Sequence, residues 1–134
     1  MENNMSNDQA DRISPYNDEE LEYFRQIILK KREEGERDLE ILQQTLRDNT
    51  ENASDESAYS YHMADAGTDA QEREKTYMLF NRTKKFLKYL DDALVRIDNK
   101  TYGVCKVTGK KISKGRLEAV PHTQISIEAK LKRR

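Results

Sequence analysis

Six positions, Phe80, Thr83, Leu87, Leu90, Leu94 and Ile97, recur at steps of 3, 4, 3, 4 and 3. Such spacing lays a narrow seam along one side of a helix, as in a coiled coil. Lys84, Lys85, Lys88, Asp91, Asp92 and Arg96 fall on the other faces. The helix is therefore amphipathic, and something has to cover its seam. The pattern predicts a helix from about Asp69 to Asp98 that ends at Asn99-Lys100. A second stripe, Leu21, Phe24, Ile28, Leu39, Leu42 and Leu46, supplies the cover. Lys31 and Gly35 interrupt it, and a glycine inside a helix costs roughly 1 kcal/mol relative to Ala. This first helix is expected over about Asp18–Arg47, with Asn17 or Asp18 as N-cap and Glu19 and Glu20 near its positive end. Each rod has about 30 residues and spans roughly 45 Å. Two matched rods joined by a polar bridge predict a mostly α fold, an antiparallel two-helix coiled-coil hairpin.

Composition agrees with rods rather than a packed sphere, since 35% of the 134 residues are hydrophobic and 37% charged. Residues 1–17 are polar and without period, and are expected to form a disordered tail. Residues 49–68, NTENASDESAYSYHMADAGT, read as the linker at the tip of the hairpin. Residues 99–134 change character. Gly103, Gly109, Gly115 and Pro121 punctuate short apolar pieces, which predict a tight turn, a short helix and a C-terminal helix. Ile112, Leu117, Val120, Ile125 and Ile127 are the candidate core of this small module.

Charge is unevenly spread. Residues 100–134 hold ten Lys/Arg against two Glu, while the whole chain sums to −1. A basic end invites an acidic surface or a phosphate. Lys110, Lys111, Lys114 and Arg116 are the candidate contact surface. Together with Lys130, Lys132, Arg133 and Arg134 they also keep open a DNA-binding reading, although no groove-reading helix is evident. A coiled-coil adaptor is the other alternative. Enzyme chemistry lacks its ingredients: His62 and His122 lie far apart, there is no phosphate-cradling glycine loop, and Asp91-Asp92 sit on a solvated face. The single cysteine, Cys105, permits no intramolecular disulfide. The opening MENNMSNDQADR has neither the basic stretch nor the apolar run of a signal peptide, and no run is long enough to cross a membrane. A cytoplasmic, non-membrane protein is expected.

One stretch is specific. Tyr102-Gly103-Val104-Cys105-Lys106-Val107-Thr108-Gly109-Lys110-Lys111-Ile112, followed by Arg116-Leu117-Glu118-Ala119-Val120-Pro121, resembles the C-terminal zinc-finger-type module of the DksA/TraR family. Leu21-Glu22-Tyr23-Phe24-Arg25-Gln26-Ile27-Ile28 is similar to that family's first coiled-coil helix, and the likeness covers roughly residues 18–130. The resemblance implies a transcription regulator that binds RNA polymerase; a hairpin that buries its own seam can be a monomer. It would insert its coiled-coil tip into the secondary channel, through which nucleotides reach the active centre. The family's four zinc cysteines correspond to Cys105, Thr108, Ser126 and Ala129, so this chain is expected to bind no zinc. The family's acidic tip falls on Asp65 or Asp69, depending on the alignment, with His62 at the companion position; Asp69 also suits a helix N-terminus. Some relatives respond to guanosine tetraphosphate. Val120 stands where they carry a basic residue, which counts against that effector and leaves Lys130 as the remaining basic group.

Overall fold

The computed structural model describes residues 13–53 and 66–132, with side chains over 13–48 and 69–132. It contains α1 (Asp18–Ala53), α2 (Ala66–Asp98), α3 (Lys114–Ala119) and α4 (Ile127–Lys132). The fold is mostly α, with two long helices and a small C-terminal module, as the seam predicts. Among the described residues, the strand-like pairing is one antiparallel bridge, Val104 with Lys111.

Both long helices exceed the expected limits of Arg47 and Asp69. The added residues carry no apolar seam. A helix already nucleated extends through such polar residues, because each one adds a hydrogen bond without a new nucleation cost. The start of α1 is a reciprocal cap. Asn17 Oδ1 accepts from the Glu20 N–H at 2.8 Å, and Glu20 Oε1 accepts from the Asn17 N–H at 3.1 Å, which settles Asn17 as the N-cap. The end of α2 is a Schellman turn. Thr101 N–H donates to Arg96 O and Lys100 N–H to Ile97 O, with Lys100 itself at φ 60°.

The chain divides into two units. The first joins α1 up to Arg32 with the chain from Lys88 onward. Within it, Arg25 pairs with Asp98, and Arg32 pairs with Asp91 at 2.6 Å. Seven residues forward on α1 match seven back on α2, so the helices are antiparallel here. Leu21, Phe24, Ile28, Leu90, Ala93 and Ile97 are buried between them and the module. The second unit is Glu33–Leu87. There Leu39, Leu42, Leu46, Phe80, Thr83 and Leu87 are half-buried. Gly35, which breaks the stripe in the sequence, is a point of close approach. A Cβ on it would lie 2.8 Å from Leu87 Cδ2.

The expected disordered tail needs one correction. Residues 13–17 are packed, and residues 1–12 lie outside the described residues. Tyr16 is 2% exposed. Its hydroxyl donates to Ile112 O, and its ring meets Phe24 edge-on at 5.1 Å. Ser14 N–H donates to Lys100 O at 2.9 Å. One aromatic ring with a place to go outweighs the polar composition around it.

Candidate functional site

The module begins with Tyr102, fully buried, whose hydroxyl donates to Pro121 O at 2.6 Å. Burial raises the pKa of this phenol well above its ordinary value, so it stays a neutral donor. Gly103 follows at φ +88°, and a Cβ there would lie 2.6 Å from Tyr16 Cε2. Both the backbone conformation and the space require glycine. The chain then folds back on itself. Cys105 N–H donates to Lys110 O, Gly109 N–H to Cys105 O, and Ile112 N–H to Gly103 O, each at 2.8 Å. Ser113 caps α3 by accepting from the Arg116 N–H, and Leu117 carries that helix into the core.

The four positions expected to stand in for zinc cysteines come together. Cys105 is fully buried, and its Sγ accepts the Ser126 N–H at 3.4 Å. Burial pushes this thiol up; hydrogen bonds from Thr108 and Ser126 outweigh it and bring it down to about 6. Ser126 Oγ accepts from the Ala129 N–H at 3.2 Å, and Ala129 is 1% exposed. Lys106 N–H donates to Gln124 O at 2.9 Å, which closes the turn against the approach to α4. The donor set does not suit a structural zinc. It offers one thiol, two hydroxyls already engaged with backbone, and a methyl group, where zinc takes about four thiolate or imidazole ligands. Among the described residues no three His, Cys, Asp or Glu side chains gather. Packing and hydrogen bonds hold the turn.

The candidate core needs adjustment. Ile112 and Leu117 are buried and Val120 and Ile125 half-buried, but Ile127 is 50% exposed. Ala129 occupies the inward position on α4 instead, two residues on, and so turns Ile127 outward. Tyr16, Tyr102, Cys105 and Pro121 complete the interior. Reasoning from aliphatic spacing missed the two tyrosines because their polar ends are satisfied by distant carbonyls.

Lys110, Lys111 and Lys114 are exposed. Lys111 Nζ lies 4.8 Å from the centre of the Tyr16 ring, and Lys114 Nζ lies 5.0 Å from that of Tyr23. These contacts hold two of the ammonium groups over aromatic faces. Arg116 departs from the group. It is half-buried, and its Nε is enclosed without a hydrogen-bond partner among the described residues. Lys130 is exposed on α4. Asp69 is exposed in the first turn of α2. It follows the helix start at Ala66 by three residues, so it lies inside the first turn rather than at the N-cap position that its residue type also suits. Asp65 and His62 lie outside the described residues.

Residues 100–133 match the family described as the prokaryotic dksA/traR C4-type zinc finger. Over 113 residues the chain is 34% identical to the RNA polymerase-binding transcription factor DksA of Caulobacter vibrioides, covering 84% of this chain and 75% of that protein. It is 38% identical over 68 residues to general stress protein 16O of Bacillus subtilis, 51% of this chain and 42% of that one. Among solved structures, transcription factor DksA2 from Pseudomonas aeruginosa superposes with a TM-score of 0.73 at 33% identity, covering 85% of this chain and 82% of that chain.

Proposed function

The chain belongs to the DksA/TraR family, and from that membership we propose that it is a transcription regulator that binds RNA polymerase and has no catalytic role. The observation that carries this reading is the match to a polymerase-binding factor along most of the length of both proteins. In the proposed mechanism the polar turn between α1 and α2 enters the secondary channel. Asp65, Asp69 or both act there, on the active-centre side, and bias the initiation complex between conformations by contacting one better than the other. Lys110, Lys111 and Lys114 meet an acidic surface outside the channel. The regulator works in the cytoplasm as a monomer, without zinc and without sequence-specific DNA contacts.

Pull-down with core RNA polymerase, followed by transcription initiation assays, tests this. Asp65→Asn and Asp69→Asn are expected to leave polymerase affinity and melting temperature nearly unchanged and to reduce the effect on initiation. A polar substitution at an exposed position such as Asp69 costs less than about 0.5 kcal/mol. Charge reversal at Lys110, Lys111 and Lys114 is expected to weaken binding in a salt-dependent way. Unchanged initiation in both aspartate variants, with binding intact, defeats the acidic-tip mechanism. Elemental analysis of protein purified without chelator decides the metal: one bound zinc per chain contradicts the proposal.

A further inference from the structure

Within the first unit, two lysines of the module rest on tyrosines from the start of the chain. Lys111 lies in the strand-like pairing with Val104, and Lys114 is the first residue of α3. Their ammonium groups stand 4.8 Å and 5.0 Å from the ring centres of Tyr16 and Tyr23. Both rings meet the buried Phe24 edge-on, with centroids 5.1 Å and 5.4 Å away. Each tyrosine also grips the module by its hydroxyl. Tyr16 donates to Ile112 O, beside Lys111, and Tyr23 donates to Glu118, one turn beyond Lys114 on α3. Glu118 is the acid that an i, i+4 pair on a helix would bring to Lys114. Its carboxylate is engaged by Tyr23 instead, and among the described residues no ion pair joins it to Lys114.

An exposed lysine ordinarily spreads its charge over many rotamers, and ordering it on binding costs affinity. A ring face under the ammonium group removes part of that cost in advance and leaves its N–H groups for an acceptor. We infer that Tyr16 and Tyr23 are positioning residues for the contact with RNA polymerase. They preset the ammonium groups of Lys111 and Lys114 for an acidic surface, and Tyr23 keeps Glu118 from neutralising Lys114. The inference rests on the reading of these lysines as a polymerase contact. The charges belong to the module, but α1 and the segment before it set where they stand.

NMR of the intact chain reads the geometry. Protons held over a tyrosine face are displaced upfield by its ring current. The ε-methylene protons of Lys111 and Lys114 are expected upfield of those of Lys110, which has no ring contact among the described residues. Tyr23→Leu is expected to abolish the Lys114 displacement and Tyr23→Phe to retain it. Tyr23 is exposed, so both variants are expected to stay folded, and the displacement in the unsubstituted chain is read in any case. A double-mutant cycle on binding to core RNA polymerase reads the consequence. Tyr23→Leu is expected to weaken binding about two- to tenfold, the cost of immobilising one long side chain, and to add nothing once Lys114→Gln is present. An equal loss in the Lys114→Gln background gives Tyr23 a different role and overturns the inference. Lys111 and Lys114 protons at the Lys110 position overturn it as well. A Lys114→Gln chain that binds polymerase as tightly as the original also overturns it, through failure of the lysine-contact reading. The ring displacements survive in that case, which tells the two failures apart.

Discussion

The two units are built from the same helices yet hold themselves differently. Every fully enclosed large side chain among the described residues, from Tyr16 and Phe24 to Leu90, Ile112 and Leu117, belongs to the first unit. In the second, the seam is half-buried, and ion pairs such as Arg37–Glu33 run along one helix surface. Surface pairs of that kind contribute roughly 0.3–0.5 kcal/mol, whereas a fully buried aromatic or leucine side chain contributes several times more. A seam shared by only two helices leaves each side chain one open flank. The module closes that flank in the first unit.

The sharpest test of this contrast is substitution on either side of the boundary. Phe24→Ala is expected to cost about 3–5 kcal/mol and Leu90→Ala about 2–5 kcal/mol. Leu87→Ala, three residues from Leu90 on the same seam, is expected to cost clearly less, because Leu87 is only half-buried. Urea denaturation followed by circular dichroism measures all three. Equal losses at Leu87 and Leu90 remove the contrast.

Gly103→Ala probes whether the first unit depends on backbone fit as well as burial. The positive φ alone costs on the order of 1–3 kcal/mol in a residue with a Cβ, and the Tyr16 ring has to move besides. Gly35→Ala meets only the end of a flexible leucine and gains helix propensity, so its change in midpoint is expected to be much smaller.

His122 gives a pH test confined to the first unit. Its pKa in the folded chain lies below the unfolded value of about 6.5, through burial and the charges of Arg96, Arg116 and Lys31. The unfolded chain therefore takes up the proton first. Stability is expected to fall as pH drops from about 6.5 through the lower folded value, and to be unaffected by this group above it. Thermal melts at pH 7.5 and pH 5 should show a smaller acid loss in His122→Gln than in the unsubstituted chain.

The smallest change is expected at Lys100→Gly. Relief of its positive φ is worth about 1 kcal/mol. The exposed pair between Lys100 Nζ and Asp18 at 2.6 Å is lost in exchange, and the net change should stay within about 1 kcal/mol. A large loss of melting temperature would show that this pair matters more than an exposed one should.

What could be read from residues alone follows the same division. The seam from Phe80 to Ile97 predicts α2 because its period is local. Gly103 and the Arg116–Pro121 run identify the module because their spacing is specific. The helix ends at Ala53 and Ala66 were not legible, since polar residues extend a helix without announcing it. Tyr16 was not legible either: its partners, Gly103 and Ile112, are distant in sequence, and a lone tyrosine among polar residues has no period. Thr108, Ser126 and Ala129 could be read as departures from a cysteine pattern. That hydrogen bonds would link Thr108 and Ser126 to the Cys105 sulfur, and Ala129 to Ser126, depended on the backbone path between them.

Tyr16 donates to a carbonyl 96 residues further along the chain. Contacts of such separation are entropically late, because the long loop must close before they form. On the ribosome, α1 is made before Tyr102 and Ile112, the distant partners of Phe24 and Tyr16, exist. Those rings stay partly open to water until Tyr102 and Ile112 emerge. The order of assembly is thus the reverse of the order of burial: the weaker pairing of Glu33–Leu87 has its partners early, and the stronger interior is completed last.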